Sequence, residues 1–209
     1  MDQPQLSSAL SQQVVTLQHT DRLYSSAFTM RPSLAPRGVE GHLPPKYVPE
    51  AEIALELVGL SEIPLIGYGR MIYLADQLGL EAETLLKPSP VQAIAAILAA
   101  IQGDEIGALR LAYNVYTKSK AQIDEPILTY SGSNGRLLIS VFEDSAGGIE
   151  AVKNAAKILH QAGVPVSVSS YGIATNPEKI DALKSVGAMI YPSTDQAVQV
   201  ALQSLGLGS

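Results

Sequence analysis

The stretch from Val141 to Val152, Val-Phe-Glu-Asp-Ser-Ala-Gly-Gly-Ile-Glu-Ala-Val, constrains the fold more than any other in the chain. Leu137 to Phe142 is an apolar, partly β-branched run that reads as a buried strand. It ends on Glu143 and Asp144, then Ser145 and a Gly pair, and Ile149, Val152, Ala156 and Leu159 follow at helical spacing up to Gly163. Strand, acidic turn and helix in that order call for an α/β layer. They place the two carboxylates at a strand's carboxyl end, where open parallel sheets receive ligands. The same pair also suits the positive N-terminus of the helix after it, so a structural reading stands beside the functional one.

The rest of the chain repeats the alternation. Val14 to Leu17 reads as a first strand after a Gln- and Ser-rich tail over 1–13, and five prolines with two glycines make residues 31–49 an irregular loop. Pro49 to Gly59 reads as a helix with Ile53, Leu57 and Leu60 on one side, and Ile63 to Ile66 as a second strand. Gly67-Tyr68-Gly69 is the turn into a helix stopped at Gly79, and Lys87 stands just before a strongly apolar helix from Val91 to about Gln102. Asp104 to about Lys118 is helical, and Ile127 to Tyr130 is a candidate hairpin arm within an insertion over 104–135. A strand over Val164 to Ser170, a helix opened by Asn176-Pro177, a short strand to Tyr191 and a last helix from Thr194 complete a single domain over 14–209. The pattern predicts an α/β fold with a doubly wound, mainly parallel sheet.

Composition bounds the chemistry. Among 209 residues there is no Cys and no Trp, which excludes thiolate metal sites, cysteine nucleophiles and disulfides and argues against base-stacking platforms. The net charge is −6 with scattered Lys and Arg, so no basic face for nucleic acid or anionic lipid is expected. The longest apolar run, Val91 to Ile101, is about half the ~20 residues a membrane helix needs, and no leader pattern opens the chain. The expectation is a cytoplasmic protein with neither nucleic acid nor membrane as partner. His42 and His160 lack metal-ligand spacing, His19 has no other His nearby and reads as structural rather than catalytic, and no Gly-x-Ser-x-Gly elbow, dinucleotide fingerprint or P-loop occurs.

Taken together, "VFEDSAGGIEAV", "LLKPSPVQAIAAI" and the late "NPEKIDALKSVGAMIYPS" resemble the haloacid dehalogenase-like (HAD) hydrolase superfamily, over roughly Val14 to the C-terminus. The resemblance implies a HAD-like Rossmannoid core with a minimal cap or none. It casts Glu143 and Asp144 as the acids that hold Mg²⁺ at the fourth motif. Lys87 becomes the third-motif cation that neutralises a phosphoryl group. The family's first strand ends in two aspartates one residue apart, then Gly-Thr-Leu, and the first Asp attacks phosphorus while the second is general acid/base. On the strand read at Val14 to Leu17, Gln18 and Thr20 stand at those positions and Asp21 at the glycine's.

An amide forms no acyl phosphate and a Thr hydroxyl shuttles no proton near neutral pH, so phosphohydrolase catalysis is expected to be lost. With one carboxylate gone, Mg²⁺ binding is expected to be weak. Gly67, Tyr68 and Gly69, where the family's second motif places a hydroxyl, remain candidates for holding an anion through backbone amides, beside the reading of a plain tight turn. Lys87 is expected to pair with Asp144. The function expected is a HAD-like pseudoenzyme that binds a small phosphorylated ligand or a protein partner. The alternative is a diverged Mg-dependent phosphatase.

Overall fold

The computed structural model describes residues 6–40, 46–117 and 136–208. The expected hairpin arm at Ile127 to Tyr130 lies outside them. Among the described residues the architecture is α/β, with two parallel sheets and eight α-helices. Strand β1 (Ala27–Phe28) pairs with β2 (Leu65–Ile66), Ala27 opposite Leu65 and Phe28 opposite Ile66. The second sheet runs in the order β3 (Leu137–Glu143), β4 (Val166–Ile173), β5 (Met189–Tyr191), and Glu143 lies opposite Gly172.

Helix α4 (Val91–Gln102) is the hub of the core. It packs against α5 (Glu105–Thr117), α6 (Ala146–Gln161) and both strands of the first sheet. Val91, Ile94, Ala95, Leu98 and Ala99 are fully buried, as a helix apolar around most of its circumference must be. The later helices start where their caps predict. Ser145 Oγ accepts from Gly148 N, Asn176 Oδ1 accepts from Glu178 N at 2.8 Å ahead of α7 (Pro177–Ser185), and Ser193 Oγ accepts from Gln196 N ahead of α8 (Thr194–Ser204). Helix α3 (Tyr68–Leu78) ends at Gly79 with φ 68°, the left-handed conformation that glycine adopts without penalty.

The expected first strand is corrected. Val14 to Leu17 is not a strand, because Ser8–His19 forms helix α1, which also takes in part of the supposed tail. Leu10, Val14 and Leu17 lie at i, i+4 and i+7 and pack with Val198 and Leu202 of α8. Burying each side chain is worth roughly 1.5–3 kcal/mol. The helix penalty of a β-branched residue is only about half a kcal/mol, so packing decides. The first strand is instead Ala27–Phe28. The apolar residues of α2 (Glu50–Leu57) do not face the core. Only Ala51 is buried there, and Ile53 and Leu57 stay exposed.

Candidate functional site

The carboxyl ends of β1, β3 and β4 border one crevice of about 390 Å³. Phe28, Thr29 and Met30 come from the end of β1, and Phe142, Glu143, Asp144 and Ser145 from the passage of β3 into α6. Lys87, Ile173 and Thr194 complete the wall. Two residue groups singled out in the sequence, Lys87 and the Glu143-Asp144 pair, are therefore brought together. Their pairing differs from the expectation.

Lys87 Nζ pairs with Glu143 Oε1, not with Asp144. The ammonium also lies 4.0 Å from the centroid of the Phe28 ring, whose negative face favours a cation. Both side chains are largely buried, 14% exposed for Lys87 and 9% for Glu143, so each is the other's counter-charge in a poorly solvated place. Ser145 Oγ donates to Glu143 Oε2 at 3.2 Å while accepting from Gly148 N, which ties the carboxylate to the start of α6. Asp144 turns the other way and meets Lys179 Nζ, in the first turn of α7, at 2.8 Å. That pair is exposed and contributes at most about 1 kcal/mol.

Gln18 and Thr20 do not line the crevice. Gln18 Oε1 accepts from Ser25 Oγ, and the Thr20 hydroxyl donates to Thr16 O and Leu17 O at the end of α1. Their assignment as the degenerate nucleophile and acid/base falls with the strand that carried it. The residues that do follow β1 are Thr29, Met30 and Arg31.

The glycine turn after β2 is occupied by the chain itself. Tyr68 N donates to Arg31 O at 3.2 Å and Gly69 N to Ser33 Oγ at 2.9 Å. A Cβ on Gly69 would run into the carbonyl oxygens of Ser33 and Leu34, so this glycine serves close approach of the 31–37 segment. Tyr68 Oη donates to Glu83 Oε1 at 2.9 Å, and this bond, with burial second, raises the phenol above its ordinary value of 10.0. These amides are committed within the fold, and the turn's residues are absent from the crevice wall.

Beneath that turn lies a network that the residue pattern did not announce. Arg70 and Glu105 are buried. Arg70 Nε donates to Glu105 Oε2 at 3.1 Å, and Arg70 also pairs with Glu52 and donates to Leu34 O. Glu105 further accepts Leu65 N and Arg37 N, both at 3.0 Å, so one carboxylate serves the strand edge and the Pro-rich segment together. Gln92 Nε2 donates to Thr29 O and Ile66 O, each at 2.9 Å, across the ends of β1 and β2.

The donor set is thin for a divalent cation. Mg²⁺ takes six near-octahedral oxygens, commonly one or two carboxylates together with several waters. Here the crevice offers two carboxylates, Glu143 and Asp144, and each is already held by a lysine. No group of three or more His, Cys, Asp or Glu able to hold a metal occurs among the described residues. No described helix is long and apolar enough to cross a membrane. Compared with protein-family models, curated proteins and solved structures, the chain matches none.

Proposed function

We propose that the chain is a haloacid dehalogenase-like protein that binds a small phosphorylated ligand in this crevice without hydrolysing it. The observation that carries the reading is the end of β1. Counted from Phe28, the family's Asp-x-Asp-Gly-Thr-Leu falls on Thr29-Met30-Arg31-Pro32-Ser33-Leu34. The small hydroxyl residue and the Leu are retained, and both catalytic acids are replaced. Lys87 before α4 and Glu143-Asp144 before α6 keep the order of the third and fourth motifs.

The chemistry follows from these side chains. A Thr29 hydroxyl needs a base within hydrogen-bond reach to attack phosphorus, and the acids of the crevice are committed to lysines. Arg31 holds its charge at all working pH and so moves no proton. Its guanidinium pairs outward with Glu50 at 3.0 Å. What remains is recognition: the Thr29 and Thr194 hydroxyls, the positive start of α6, and the Lys87 ammonium and Ser145 hydroxyl, which a phosphate can take over from Glu143.

The test combines turnover with binding. Wild-type protein incubated with sugar phosphates and p-nitrophenyl phosphate in the presence of Mg²⁺ is expected to release no phosphate. Calorimetry with the same sugar phosphates is expected to show binding that Lys87→Met weakens at least tenfold. Phosphate release that disappears in Asp144→Asn overturns the reading in favour of a diverged Mg-dependent phosphatase.

A further inference from the structure

We infer that Glu143 is the crevice's own occupant: its carboxylate fills the place on Lys87 that a ligand's anionic group takes, and binding requires it to swing away. The inference rests on the reading of the crevice as a site for phosphorylated ligands and adds how that site is regulated.

Three observations converge on the carboxylate. It neutralises Lys87, which lines the crevice. It accepts from Ser145 Oγ, the hydroxyl that caps α6. It also lies in the space left by the missing side chain of Gly148, where an ideal Cβ would overlap the carboxyl group. A cation, a hydroxyl donor and open room at a helix start are what an oxyanion uses, and here an internal anion uses all three. The neighbouring acid does not take part, because Asp144 is turned to Lys179.

Glu143 is suited to leave as well as to stay. It is the last residue of β3, and its flexible side chain borders an open crevice. A phosphate monoester brings about −1.5 to −2 charges and three acceptor oxygens against one charge and two oxygens, so it can take over Lys87 and Ser145. Until then apparent affinity is reduced by the fraction of molecules in which the carboxylate is in place.

The probe is inorganic phosphate, titrated into ¹⁵N-labelled full-length protein with the Gly147 and Gly148 amides followed by NMR. Glu143→Gln is expected to bind at least about tenfold more tightly than wild type, the factor set by a site that is closed more than nine-tenths of the time. The double variant Lys87→Met/Glu143→Gln is expected to lose that gain. Glu143→Ser, which opens more room, repeats the comparison if Glu143→Gln does not fold. Equal or weaker binding by the Glu143 variants, a gain that persists without Lys87, or shifts confined elsewhere overturns the inference. If wild type binds sugar phosphates and the Glu143 variants gain nothing, the gate fails and the function stands. If the variants gain phosphate binding and wild type binds no phosphorylated ligand, the function fails and the gate stands.

Discussion

The Glu143 carboxylate lies against the Cα of Gly148, in the space a side chain would fill at that position. The obstacle to any substitution there is the far end of a flexible side chain, so it can yield. Gly148→Ala should therefore fold, with a urea-derived stability below wild type, because the roughly 0.5–1 kcal/mol that Ala recovers over Gly in a helix only partly offsets the parting of a largely buried ion pair. The Lys87–Glu143 pair should be broken, which NMR of the Lys87 ammonium reads directly.

Gly69 is the contrasting case. Its Cβ would meet the backbone carbonyls of Ser33 and Leu34, which cannot rotate out of the way. Gly69→Ala is expected to cost about 1–3 kcal/mol in urea unfolding, the range for a forced backbone shift. A variant as stable as wild type would show that the 31–37 segment is not seated on α3 as described.

Breaking the buried network should be costlier still. Glu105→Ala leaves Arg70, a guanidinium only 2% exposed, with Glu52 as its remaining carboxylate and deprives the buried Leu65 N of its acceptor, and a loss of up to about 3–5 kcal/mol is expected. Arg70→Met/Glu52→Gln/Glu105→Leu removes all three paired charges and should be milder than Glu105→Ala. Guanidinium denaturation of the three proteins checks the ranking.

Tyr68 and Glu83 predict an alkaline signature. Because the phenol's pKa in the folded protein is raised above 10.0, folded chains keep that proton where unfolded chains have lost it. The contribution to stability is complete below about pH 10 and is lost as pH rises through the folded value. Tyrosinate absorbance, with Tyr68→Phe subtracted to isolate one of nine tyrosines, should titrate at lower pH in Glu83→Gln.

The later part of the chain was legible because local and global signals agree there. Asn176-Pro177 announces its helix, and the predicted strands lie within about three residues of β3, β4 and β5 at each end. The early part was not, because β1 is two residues long and carries no β-branched side chain, while Val14-Val15-Thr16 looks like a strand. Its helical state is set by α8, whose packing partners lie about 190 residues on. The same limit governed the site. Lys87, Glu143 and Asp144 stand out in the sequence as charges just before helices, but their choice of partners depends on where α7 brings Lys179, and Thr29 carries no signal because its strand is two residues long.

Gln92 gives the crevice a property that no strand supplies. Strands β1 and β2 share two residue pairs, and a register error of one residue displaces a strand by about 3.3 Å. One amide nitrogen bonded to both Thr29 O and Ile66 O, each at 2.9 Å, tolerates no such slip, because at least one bond would be broken. Helix α4 thereby acts as a gauge on two strands at once. The position of Thr29 at the crevice mouth is thus measured from the buried hub of the molecule and not from the short ladder beside it.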